Sequence, residues 1–172
     1  MPTIDATIGG VSANSYVTLA EANAYFDSSY NRTAWTALVP VDATKSILLV
    51  EATRLIDTYF VFNGLPTSVD QALQWPRVDA LDVNRETIAD DVLPNELKNA
   101  VCEMAYHLLS NGGLTLNEIE FTKIKVSSIQ LDFNTLTSSS GFPKNVKLML
   151  SAFGSTTIVG ASGITQARLV RT

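Results

Sequence analysis

Histidine and cysteine each occur once in this 172-residue chain, at His107 and Cys102. They fall five residues apart on one predicted helix, a spacing that points the two side chains in different directions. A Ser-His-Asp or Cys-His site would have to use His107, and a zinc site needs more nitrogen and sulfur ligands than one of each. We therefore interpret His107 as a structural histidine and predict no catalytic residue and no zinc site.

Carboxylate oxygens that bind a metal ion and backbone groups that bind a phosphate are the other candidates for a functional site. Four aspartates in one segment could face a hard cation: Asp79, Asp82, Asp90 and Asp91. Their spacing matches no EF-hand loop, and a solvated acidic loop explains them better. The glycine pairs Gly9–Gly10 and Gly112–Gly113 lack the pattern of a phosphate-binding loop. The sequence thus predicts no metal, no cofactor and a protein that is not an enzyme.

The composition predicts a folded chain that is soluble and intracellular when made. Hydrophobic residues make up 46% and charged residues 17%, which is too apolar for a disordered protein. No apolar run approaches the roughly 20 residues that span a bilayer. The first ten residues lack the pattern of a signal peptide, and a single cysteine excludes an internal disulfide.

Charge is distributed unevenly. The net charge is −5, made up of −9 over residues 1–132 and +4 over residues 133–172, which contain no acid. Binding to nucleic acid requires basic patches, often with aromatic residues that stack on bases. Here the body is acidic, so sequence-specific DNA binding is not expected, and the basic end is predicted to seek a differently charged surface.

The periodicity predicts a mainly α fold, a small helical bundle. Thr18 and Glu21 form a capping box for a first helix, and a helical turn is expected around Trp35. Asp42 is predicted to cap a second helix and Pro94 to open a third. The stripes of these two helices should pack together, with Leu55, Leu97, Val101 and Met104 buried between them. Lys45, Ser46, Thr53, Arg54 and Asp57 are assigned to the other side of the second helix.

Residues 63–93 show no sustained period, and loops of this length are often functional. Within them we predict that Trp75, Pro76 and Arg77 anchor the loop. Trp75 either fills the core of its own subunit or contacts another subunit, and the sequence leaves both open.

The last third of the chain changes character. Alternation over residues 121–133, with a slip at Ser127–Ser128, predicts a short β-hairpin or a single bulged strand. Pro143 opens a final helix with Val146, Met149, Leu150 and Phe153 on one side. We thus divide the chain into an extended lead-in (1–17), a helical domain (18–153) and an extended C-terminal tail (154–172).

Three ordered pieces of the sequence resemble the head–tail connector adaptor family of tailed bacteriophages. They are Ser15–Ala22 with Tyr25–Phe26, then Ala43–Asp57 leading to Phe62–Gly64 and Gln71–Arg77, and finally Leu93–Glu103. The resemblance implies a ring, usually of twelve copies, that docks beneath the portal protein, contacts tail or nozzle proteins and lets DNA pass without tight binding. It implies a virion neck protein made in the host bacterial cytoplasm. Relatives carry the label DnaT-like single-stranded DNA-binding protein, so a DNA-binding accessory protein is the alternative.

The tail is predicted to dock on the portal. Extended segments order on partners through main-chain hydrogen bonds and apolar pockets. The tail is basic and carries apolar residues that a solvated linker would not need. The residues assigned to docking are Ile164, Arg168, Leu169, Val170 and Arg171.

Overall fold

Five helices dominate the part of the fold that the structure describes. A computed structural model describes residues 3–30, 33–38, 41–111, 123–126, 129–132 and 142–156. The helices are α1 (Leu19–Ser28), α2 (Thr33–Thr36), α3 (Val41–Tyr59), α4 (Asn95–Asn111) and α5 (Lys144–Leu150). The strands are short and occur in two-stranded antiparallel pairs, so most of the regular structure is helical. The predicted class, a mainly α helical bundle, is confirmed. No helix among the described residues is both long and apolar enough to cross a membrane.

The strands among the described residues form three separate pairs. β1 (Phe60–Phe62) pairs with β6 (Gly154–Thr156), and β2 (Leu65–Pro66) pairs with β3 (Arg77–Val78). β4 (Lys123–Val126) and β5 (Ile129–Asp132) are antiparallel neighbours in register, with Val126 opposite Ile129. Two residues separate these strands, so a hairpin, and not one bulged strand, occupies this segment.

The core lies between α3 and α4, with α5 against α4. Leu55, Leu97, Val101 and Met104 are all buried in one cluster, as predicted. Burying each such side chain contributes about 1.5–3 kcal/mol. Within α3, Leu49 is fully buried and its neighbour Leu48 only partly.

The assignment of Lys45, Ser46 and Thr53 to an exposed side of α3 was wrong, because all three are buried. The segment before α1 and the helix α2 cover that side as well. The backbone N–H of Tyr16 donates to Thr53 Oγ1 at 3.4 Å. Lys45 Nζ donates to Asn23 Oδ1 at 3.0 Å and lies over the ring of Trp35. Polar side chains with such partners are tolerated inside, and helical periodicity cannot reveal a second covered face.

The helix starts follow the predicted signals with small shifts. Thr18 and Glu21 form the predicted capping box at α1. Asp42 does not cap α3, which begins at Val41. It lies in the first turn, where its charge complements the helix dipole. Pro94 precedes α4, and its carbonyl accepts from the N–H groups of Leu97 and Lys98.

The predicted tail begins inside the folded body. Its first three residues are β6, which pairs with β1 in the register Phe60–Thr156, Val61–Ser155 and Phe62–Gly154. The close approach requires glycine at 154, because an added Cβ would lie 2.0 Å from the carbonyl oxygen of Val61. The folded part thus extends at least to Thr156.

Candidate functional site

Trp75 lies in the core of its own chain, with 1% of its surface exposed. Its ring meets Phe62 and Phe153 edge to face, with centroids 5.9 and 5.6 Å away. Such aromatic pairs contribute about 0.5–1.5 kcal/mol beyond the area they bury. Pro76 follows through a cis peptide bond and is also buried. The tryptophan thereby attaches the loop to β1, through Phe62, and to Phe153, the residue before β6.

Arg77 is buried and bonds to backbone carbonyls. Its guanidinium donates to the carbonyl oxygens of Asn63 at 2.8 Å, Gly64 at 2.6 Å and Gln74 at 2.9 Å. A planar guanidinium with five fixed donors suits such a cluster of oxygens. Gly64 has a φ of +74°, and a Cβ there would lie 2.3 Å from the carbonyl oxygen of Val78. Arg77 therefore holds the turn between β1 and β2 and is not free to bind a phosphate.

Asp57 joins three segments that are distant in sequence. Its carboxylate accepts from the Tyr16 hydroxyl at 2.5 Å and from the backbone N–H of Gln74 at 3.0 Å. The same hydroxyl accepts from the backbone N–H of Trp75 at 3.2 Å. Burial raises the pKa of Asp57 to about 6, although these hydrogen bonds and nearby Arg77 oppose the shift. Sequence reasoning missed this cluster and placed Asp57 on the polar side of its helix.

The single histidine and the single cysteine lie apart from any catalytic arrangement among the described residues. His107 Nδ1 faces Asn111 Nδ2 at 3.0 Å within α4, and partial burial lowers its pKa. Cys102 is buried, and burial raises the pKa of its thiol to about 12. A thiol with that pKa is not a nucleophile at neutral pH.

The acidic segment has a structural explanation. Asp82 Oδ1 accepts from the backbone N–H groups of Asn84 and Glu86, both at 2.8 Å, and so shapes its own turn. No group of three or more histidine, cysteine, aspartate or glutamate residues that could hold a metal occurs in the part of the chain that the structure describes.

Most basic side chains of the described helical body have internal partners. Lys98 Nζ pairs with Glu21 Oε1 at 2.7 Å, and Arg54 pairs with Glu51. Lys45 and Arg77 are buried, as described above. Arg85 is the exposed cation that remains between residues 41 and 111. Phosphate contacts need cations that can reach the ligand, and this part of the surface offers few.

The assigned docking residues Ile164, Arg168, Leu169, Val170 and Arg171 lie outside the described residues. Trp75, Pro76 and Arg77 are brought together inside the body. Of the two sets of residues singled out in the sequence, the structure therefore describes the loop anchor alone.

The fold and its surface define a small helical domain with an internally anchored loop and an acidic exterior. A family model described as "Putative DnaT-like ssDNA binding protein" matches residues 3–172. The chain belongs to this DnaT-like family. No curated protein and no solved structure matches it.

Proposed function

We propose that this chain is a structural subunit of a phage head–tail connector, an adaptor that assembles with copies of itself beneath a portal ring. The observation that carries the proposal is the charge of the body. Residues 1–132 sum to −9, and four of the cations in this body are engaged internally. An acidic wall repels the DNA backbone and lets it slide.

The sequence resemblance supplies the geometry of this proposal. It implies a ring, with DNA in the lumen, the portal on one side and tail proteins on the other. Internal anchoring of the loop at Trp75 and Arg77 gives each subunit a rigid body, which a ring needs if its copies are to be equivalent. The protein acts by binding and has no catalytic role.

A single-stranded DNA-binding accessory protein is the second candidate. The family description supports it directly and favours it over the connector. The basic residues of the C-terminal third are the natural phosphate contacts for such a role: Lys144, Lys147, Arg168 and Arg171. Against it stand the acidic body and the scarcity of exposed aromatics, of which Tyr30 is the fully exposed one among the described residues.

A DNA titration separates the two candidates. We expect no change in the fluorescence anisotropy of a labelled oligonucleotide at submicromolar protein and physiological salt. Tight binding needs the release of counterions by Lys and Arg contacts. A clear rise in anisotropy that weakens steeply with salt would reject this expectation. The variant lacking residues 157–172 would then show whether the tail cations are responsible.

A docking experiment tests the connector directly. The purified chain should bind portal rings of the phage whose genome encodes it, and negative-stain images should show an added layer of density beneath the portal. A chain that leaves these portal rings unchanged at saturating concentration is not a connector.

A further inference from the structure

Two segments of the body, residues 65–70 and 90–92, expose apolar side chains together with acids. Val69 is 99% exposed and Leu65 is 67% exposed. We call the exposed residues Leu65, Val69, Val92, Asp70, Asp90 and Asp91 of these segments the acidic-apolar surface. Exposed apolar residues that gather on one surface commonly mark an interaction site.

The loop anchor, Trp75–Arg77, holds the acidic-apolar surface in place. Thr67 Oγ1 donates to the carbonyl of Asp90 at 3.0 Å, which joins the two segments of the surface. The N–H of Thr67 donates to the carbonyl of Pro76 at 3.2 Å. Leu65 lies opposite Val78 in the β2–β3 pair. The surface is therefore preformed, which lowers the entropy lost on binding.

A second surface has the opposite charge. Helix α5 buries Val146 and Leu150 and exposes Leu148, at 63%, together with Lys144. Residues 142–156 contain no acid. Lys144 and Leu148, four residues apart on α5, form the basic-apolar surface. Glu103 of α4 accepts from Asn145 Nδ2 of α5 at 2.6 Å and from the hydroxyl of Tyr25 at 2.6 Å.

We infer that the acidic-apolar surface of one copy binds the basic-apolar surface of a second copy. Each surface repels its own kind, because each carries charge of a single sign, so a self-complementary dimer is disfavoured. Two different complementary surfaces on one chain give a heterologous contact, which closes into a ring when the rotation between copies permits it. The inference rests on the proposed connector and names the contact between its subunits.

Two variants and their mixture test this contact. Val69→Gln removes the apolar centre of one surface and Leu148→Gln that of the other, and both sites are exposed enough to leave folding intact. Loss of one buried apolar side chain should weaken association about tenfold or more. Ile47→Gln on α3 is the matched control, since Ile47 is 54% exposed and belongs to neither surface.

Light scattering after size exclusion reads the result. We expect the wild type and Ile47→Gln to form higher oligomers at concentrations where each of the other two variants is monomeric. An equimolar mixture of Val69→Gln and Leu148→Gln should give a 1:1 dimer, because one intact surface of each kind remains and the two altered surfaces cannot extend the chain. This product distinguishes a heterologous contact from any other arrangement.

Three results would overturn the inference. The two variants could oligomerise as the wild type does. One variant alone could lose association while the other keeps it, which indicates a single self-complementary surface. The wild type could stay monomeric at its highest soluble concentration. None of these results rejects the connector itself, which is judged by binding to portal rings.

Discussion

Asp57 shows how a single carboxylate can hold distant segments together. It accepts from Tyr16, before α1, and from Gln74, in the loop. Burial also raises the pKa of Tyr16 well above its usual value, so its hydroxyl remains a donor. Buried polar groups need hydrogen-bond partners, and each of the two oxygens of this carboxylate has one. This contact sets the position of Trp75, the next residue after Gln74.

Asp57 should make the stability of the fold depend on pH. Its pKa is 3.8 in the absence of the fold and about 6 within it, so the native state binds the proton more tightly. Its contribution to stability is fully present below pH 4 and is lost as the pH rises through 6. A shift of about two units corresponds to about 3 kcal/mol at most.

Urea unfolding of the wild type and of Asp57→Asn at pH 4, 5, 6 and 7 measures this effect. Asparagine resembles the protonated acid and does not titrate. We expect the free energy of unfolding of Asp57→Asn minus that of the wild type to increase as the pH rises, by up to about 3 kcal/mol. Parallel pH profiles for the two proteins would show that Asp57 does not titrate in this range.

At the scale of elements, polar side chains as well as apolar ones connect particular helices. Lys98 of α4 pairs with Glu21 of α1 at 2.7 Å. Glu103 of α4 bonds to Tyr25 of α1 and Asn145 of α5. These contacts fix the rotation of each helix about its axis, which the apolar stripes alone leave loose.

Leu97→Ala should destabilise the packing of α4 against α3. Leu97 is fully buried, and truncation of a buried leucine costs about 2–5 kcal/mol. Ile47→Ala on the exposed side of α3 should change stability by no more than about 0.5 kcal/mol. Thermal unfolding followed by circular dichroism compares the two. Equal melting temperatures for Leu97→Ala and the wild type would contradict the burial of this stripe.

At the scale of the whole molecule, the position of β6 determines which C-terminal residues can be deleted without removing paired backbone. Gly154–Thr156 pairs with β1, so a truncation at residue 155 would remove two of the three paired residues. A truncation that tests docking must therefore begin at residue 157.

Deletion of residues 157–172 should leave the body folded and abolish attachment to the portal. The deleted segment carries Arg168 and Arg171 beside Leu169 and Val170, and these can pair with acids and fill apolar pockets. Co-sedimentation with portal rings measures attachment, and circular dichroism checks folding. The full-length variant with Arg168→Glu and Arg171→Glu isolates the charge contribution. A truncated chain that sediments with the rings as the full chain does would remove the tail from docking.

Local patterns determined the helices by themselves. Apolar residues at helical spacing predicted α3 and α4 and the burial of Leu55, Leu97, Val101 and Met104 between them. The Thr18–Glu21 capping box identified the start of α1, because both partners lie within one turn. The resemblance to a connector family came from ordered motifs, and the DnaT-like family match covers nearly the whole chain.

Only the tertiary structure decided what depends on contacts between distant segments. The pairing of β1 with β6 joins residues more than ninety positions apart, and no local period encodes it. Burial of Lys45 and Thr53 required covering segments from before α3, and Trp75 was placed in the core by Phe62 and Phe153. In the sequence, nothing distinguishes Asp57 from the other polar residues of its helix. Its role follows from two donors, at positions 16 and 74, that the fold brings to it.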